Sequence, residues 1–170
     1  MSIEMQIIVA NFDSKDGAKE ALKAVKHEKI KRGDVAILSK NEKGKIRVKE
    51  TADWGGGKGA VAGAVVGSFI PVVGTLAGAV IGGVAAKLRD GGFPNDKLKD
   101  MAESLEPDHS MYVMLTDSDS VEAVESILAE AGGQLVSHPV SAELAGDLEE
   151  AAEAGEAQVE VAADEDEEQN

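Results

Sequence analysis

Residues 59 to 86 read GAVAGAVVGSFIPVVGTLAGAVIGGVAA, 28 residues without a charge. A run of 18 or more uncharged apolar residues has the character of a membrane helix. Its glycines are regular: Gly59, Gly63 and Gly67 are four apart, and so are Gly74, Gly78 and Gly82. A spacing of four puts each triplet on one helix face, where another backbone can approach closely. A glycine inside a helix costs about 1 kcal/mol relative to alanine. The seven in this stretch are tolerable only where close packing offsets that cost. The pattern predicts two helices that pack through their glycine faces.

Pro71 lies between the triplets and marks the hairpin turn. It lacks an N–H and clashes with the preceding turn, which excludes one straight helix. The arms become 58–70 and 72–86. At about 1.5 Å per residue each reaches roughly 20 Å, short of a bilayer core of about 30 Å. The strands on either side should share one sheet, so the stretch must leave and return on one side. Lys58 before it and Lys87 and Arg89 after it agree, because basic flanks mark the cytoplasmic side of a membrane. Two environments suit such a hairpin. One is a single leaflet of a membrane; the other is burial by protein, either the same domain or identical copies.

Outward from the hairpin, the chain reads as strands and amphipathic helices. Residues 3 to 10 (IEMQIIVA) form a buried strand that ends at a polar Asn-Phe-Asp-Ser turn. Ala18, Ala21, Leu22 and Val25 recur at helical spacing, with Asp13 or Ser14 as cap and Gly33 as terminator. Residues 34 to 40 and 45 to 50 flank Asn41-Glu42-Lys43-Gly44 and read as a β-hairpin. In its second strand Ile46 and Val48 face one way and Lys45, Arg47 and Lys49 the other. Gly91-Gly92-Phe93-Pro94 breaks the chain after the apolar stretch. A short helix then carries Leu98, Met101, Ala102 and Leu105 on one face and stops at Pro107. Residues 110 to 116 (SMYVMLT) read as a strand. A helix follows with Val121, Val124, Ile127, Leu128 and Ala131 inward; Asp119 and Glu122 suggest its cap, and Gly132-Gly133 its end. Residues 134 to 140 give a last strand in which Pro139 suits an edge. A helix with Leu144, Ala145, Leu148 and Ala152 on one face follows over 142–154.

The order is β-α-β-β, insertion, α, β-α-β. Two βαβ units make a ferredoxin-like split βαβ sandwich, an α+β fold. The expected organisation is a body over 1–53 and 88–148, a glycine-zipper hairpin over 54–87, and an acidic tail over 149–170. The tail's charge and low hydrophobicity predict disorder.

Composition narrows the chemistry. There is no cysteine, which excludes disulfides and thiolate chemistry. His27, His109 and His138 are far apart and in no ligand spacing, so they read as surface or strand-end histidines, and no metal or other cofactor is expected. Net charge is −15, with all 17 Lys and Arg within residues 1–99 and 21 acids in residues 100–170. An acidic C-terminal part argues against nucleic acid as partner. The Lys45, Arg47, Lys49 face, with Lys58, Lys87 and Arg89, could meet anionic lipid headgroups. Its ordinary reading is a charged edge strand that resists aggregation. Gly55-Gly56-Gly57-Lys58-Gly59 misses the phosphate-loop pattern. Ala52 stands at its first glycine position and Gly59 at its hydroxyl position, so a hinge into the hairpin is the better reading. The start of the chain, with Glu4 and no basic residue, does not resemble a secretory signal. The expected place is the cytoplasm, at the cytoplasmic face of the inner membrane.

The segment Lys49-Glu50-Thr51-Ala52-Asp53, running into Gly55-Gly56-Gly57-Lys58-Gly59-Ala60 and the glycine-periodic stretch, resembles an uncharacterised prokaryotic family, the domain-of-unknown-function family numbered 1269. The likeness extends from the first strand to about Glu150. Members of that family are often labelled membrane or general-stress proteins. The resemblance implies a ferredoxin-like body with a glycine-zipper insertion and supplies no catalytic residues. Taken together, the sequence predicts a non-enzymatic, self-associating protein at a membrane face. The alternative is a soluble self-assembling scaffold or shell protein whose hairpins pack on each other. A small channel or pore would need full spanning, which the arm lengths disfavour.

Overall fold

The computed structural model describes residues 5–30, 34–43, 46–51 and 105–147, together with Asp96, Asp100, Glu103 and Glu150. Among the described residues, five strands and two longer helices follow one another along the chain. They are β1 Met5–Phe12, α1 Gly17–His27, β2 Asp34–Lys40, β3 Ile46–Thr51, β4 Ser110–Asp117, α2 Ser118–Glu130 and β5 Gln134–Val140. Residues 142–147 make a further helical turn, with Ser141 Oγ accepting from the Leu144 N–H. The strands form one sheet in the order β3-β2-β4-β1-β5, every pair antiparallel. The architecture is α+β.

β1 lies between β4 and β5 and is buried along nearly its whole length. Side chains alternate across a strand, so register sorts them onto two faces. Ile8 opposite Met114, Ala10 opposite Tyr112 and Val35 opposite Met114 share one face. These residues join Ala18, Ala21, Leu22 and Val25 of α1 and Val121, Val124 and Leu128 of α2 in a single apolar cluster. The helical stripes anticipated from spacing face the sheet, except that Ile127 is only partly buried and Ala131, just past the end of α2, is exposed. Tyr112 is fully buried there, and its hydroxyl finds the Met114 Sδ at 3.4 Å. Ile7, Val9, Leu38, Met111, Val113 and Leu115 occupy the opposite face by the same register, and each is 3% exposed or less. Along β1, β2 and β4 both faces of the sheet are therefore dry, which fits runs such as QIIVA and MYVML that do not alternate with polar residues.

Several local expectations shift. β1 runs on through Asn11 and Phe12, and the turn comes at residues 13–16. Asn11 pairs opposite Met111 and Gln134, while Phe12 packs into the helix-facing core at 3% exposure. Neither Asp13 nor Ser14 caps α1 with its side chain. The N-cap is Asp16, and it makes no side-chain cap bond either. The cap comes from another element: Ser110 Oγ, at the start of β4, accepts from the Ala18 N–H at 2.9 Å and donates to the Ser14 carbonyl at 2.6 Å. α1 ends at His27, ahead of Lys29 at φ 54°; the anticipated terminator Gly33 lies outside the described residues. α2 starts one residue before Asp119, with Asp117 at the N-cap and no side-chain cap bond, because β4 passes into the helix without a loop. Its end is as anticipated. Gly132 takes φ +86°, and the Gly132 and Gly133 N–H groups bond the Ala129 and Leu128 carbonyls, a Schellman closure.

Ser110→Ala should leave the buried Ala18 N–H unpaired, at a cost of about 1–3 kcal/mol. A urea midpoint unchanged by that substitution would refute the tertiary cap. At Gly132 the positive φ, not crowding, sets the constraint, since a Cβ there would meet nothing within 4 Å. Gly132→Ala should cost about 1 kcal/mol in the same experiment.

Candidate functional site

The apolar stretch is inserted between β3 and β4, and both strands belong to one sheet. β2 pairs with β4 from Asp34 opposite Leu115 to Ser39 opposite Ser110, so the chain before the insertion is zipped directly to the chain after it. The place where the insertion returns is tied down by polar contacts. Lys40, the last residue of β2, gives its backbone N–H to the His109 carbonyl (3.1 Å) and takes the Asp108 N–H on its own carbonyl (2.9 Å). Its Nζ donates to the Leu105 carbonyl at 3.1 Å, and Leu105 is 2% exposed. Asp108 turns the chain at φ 63°, a conformation that short polar side chains tolerate. Sequence reasoning passed over Lys40 and Ser110. Their partners lie 65 and 92 residues away along the chain, so no local pattern marks them.

The residues singled out by sequence fare differently. Gly59, Gly63, Gly67, Gly74, Gly78, Gly82 and Pro71 lie outside the described residues, as do Lys45, Lys58, Lys87, Arg89 and the acidic tail beyond Glu150. Arg47 and Lys49 are on β3, the edge strand, at register positions opposite Ser39 and Ile37; Val48 stands opposite Leu38. The β-hairpin joining β2 and β3 is as anticipated, and Lys43 N–H bonds Asn41 Oδ1 in its turn. Pro139 is on β5, the other edge.

The three histidines are not brought together. His27 ends α1, with Nδ1 3.6 Å from Glu28 Oε1. Their side chains are 87% and 62% exposed, so water screens the pair and it contributes little. His109 precedes β4, and His138 sits on β5 opposite Ile7. Among the described residues no three His, Asp or Glu side chains are grouped to hold a metal ion. An open groove of about 820 Å³ between α1 and α2 is lined by residues that include Ala24, Ile30, Ala123, Ile127, Glu28 and Glu130. Among the described helices none is long and apolar enough to cross a membrane.

A family model described as "Protein of unknown function (DUF1269)" matches residues 56–153, more than half of the chain. The match takes in the glycine-periodic stretch, β4, α2 and β5 and begins after the Lys49–Asp53 part of the entry motif. No curated protein and no solved structure matches the chain.

Removing the ammonium at the insertion's return should loosen it. Lys40→Met is expected to lower stability by about 1 kcal/mol. It should also speed hydrogen exchange at the Asp108 amide more than at amides in the middle of β1. Equal acceleration at both would mean that Lys40 acts on the whole fold and not on this corner.

Proposed function

Since the chain belongs to the DUF1269 family, whose description assigns no activity, we propose its role from the constraint its own topology imposes. It is a non-enzymatic protein that associates with the cytoplasmic face of the membrane, and with copies of itself, through the glycine-zipper hairpin at 54–87. One observation carries this reading. The strands before and after an uncharged stretch of 28 residues belong to one antiparallel sheet. A single crossing would put β2 and β4 on opposite sides of a bilayer and break the pairing between them. The stretch must leave the body and come back on the same side, as a hairpin does.

The body itself reads as a ferredoxin-like split βαβ sandwich. The order β2-β4-β1-β5, wholly antiparallel with α1 and α2 on one face, supports this, and β3 is an added edge strand. That fold hosts many functions and does not choose among them. The choice rests on the insertion. Its paired glycine triplets suit close helix contact, and its flanks Lys58, Lys87 and Arg89, with Arg47 and Lys49 on the edge strand, suit anionic headgroups. The second reading is a soluble scaffold in which hairpins from several copies bury one another. It is favoured by the same glycine spacing, which serves protein contact as well as lipid-facing helices.

Flotation of the purified protein with anionic liposomes separates the two. Co-flotation that survives high salt supports insertion of the hairpin. A discrete large species left at the bottom would replace the anchor with the scaffold. Gly63→Leu and Gly78→Leu should reduce self-association under either reading, measured by sedimentation velocity. Assembly identical to wild type in both variants would remove the zipper from the account.

A further inference from the structure

α1 and α2 pack on the same face of the sheet, and the surfaces they turn to water carry charge of opposite sign. On α1, Lys19, Lys23 and Lys26 are exposed, against the single carboxylate of Glu20. Their spacing of four and three makes them one stripe of the helix. α2 has four carboxylates, on Asp119, Glu122, Glu125 and Glu130, and no lysine or arginine. Asp119, Glu122 and Glu130 are exposed and Glu125 is half-buried. Among the described residues, none of these three lysines and four acids has an ion-pair partner in its own chain. Between the helices lies the open groove, to whose lining Ala24, Ile30, Ala123 and Ile127 bring apolar surface.

We infer that this helix face is an interface between two copies of the chain, related by a two-fold axis that runs along the groove. Charge decides both the occupant and the axis. A basic partner would pair with α2 and be repelled by α1, and an acidic partner the reverse. A second copy offers both signs at once. Turned about an axis along the groove, it lays its α2 over α1 and its α1 over α2. The lysine stripe then meets carboxylates twice, since every contact of a two-fold interface occurs in duplicate. A two-fold axis across the groove would instead set α1 on α1 and α2 on α2, lysine against lysine and carboxylate against carboxylate. The middle of the face suits the same arrangement. Ala24 and Ala123 are small, and Ile30 and Ile127 are partly buried against the core, so each copy meets the other's apolar strip with its own. The charged pairs set orientation and encounter rate more than affinity, and salt screens them.

This surface lies wholly on α1, α2 and the residues that follow them, so it goes beyond the hairpin reading and does not rest on it. It stands whether the hairpin enters lipid or packs on other hairpins. A closed two-fold contact stops at a dimer; a second, separate contact through the hairpin would link such dimers into larger assemblies.

The full-length protein tests the interface in two ways. Wild type prepared with light and with heavy nitrogen, mixed and treated with a water-soluble carbodiimide, should give mixed-isotope amide cross-links. They should join Lys19, Lys23 or Lys26 of one copy to Asp119, Glu122, Glu125 or Glu130 of the other. Absence of any such link overturns the interface. Charge reversal is the second test. Lys19→Glu, Lys23→Glu and Lys26→Glu together should weaken association at low salt by about tenfold or more in sedimentation velocity. Asp119→Lys, Glu122→Lys and Glu130→Lys together should do the same. An equal mixture of the two variants should recover wild-type association, because each reversed helix then meets its opposite. Recovery also shows that both variants are folded. Either variant associating as wild type does, or a mixture that fails to recover, overturns the proposal. Failure of the zipper reading is seen separately, in Gly63→Leu and Gly78→Leu, which leave these charges unchanged.

Discussion

The pairing of β2 with β4 is the contact on which the remainder of this protein depends. It joins Asp34–Lys40 to Ser110–Asp117 across some seventy residues of intervening chain. Closing so long a loop carries an entropic cost, but that cost grows only with the logarithm of loop length, so a large insertion adds little once the ends are held. The ends are held well. A six-residue ladder joins the strands, and the Lys40 corner fastens the returning chain just before β4. The insertion can vary in what it does without disturbing the sheet, provided it comes back to the same corner.

Burial on both faces gives the sheet a second property. A sheet with one wet face shows clean alternation, and its register can be read from the polar positions. Here β1 and β4 carry unbroken apolar runs, Ile7–Ala10 and Met111–Leu115, so register rests on backbone pairing and on shape. Ala10 sits opposite Tyr112, and the tyrosine hydroxyl reaches the Met114 sulfur. Close contact fixes the chain elsewhere too. A Cβ on Gly17 would lie 2.6 Å from Phe12 Cβ, so the first turn of α1 can approach the end of β1 only through glycine. That contact, with the Ser110 hydroxyl bridging Ser14 and Ala18, joins the start of α1 to two strands at once.

The apolar stretch gives these features a functional setting. A soluble α+β body needs no uncharged run of 28 residues with glycines every fourth position. Such a run makes sense as a device for contact with lipid or with identical helices. Under the proposed function, the sheet keeps the two ends of that stretch together, since β3 before it and β4 after it belong to one sheet.

Much of this was legible along the chain. Five strands, two amphipathic helices, the β2–β3 hairpin, the Gly132 closure and the edge position of Pro139 follow from periodicity, turn residues and backbone limits, which act over a few residues. The insertion stands out by its lack of charge and its glycine spacing, and the expectation that its flanking strands share a sheet is met. Tertiary structure decided the rest because the interactions concerned span long stretches of sequence. The cap of α1 is a serine 92 residues from Ala18, not Asp13 or Ser14, since β4 places a hydroxyl at the open N–H. β1 continues through a polar Asn11, because pairing on both sides outweighs its turn preference. The burial of both sheet faces is likewise a fact of packing, which no single strand's sequence could specify.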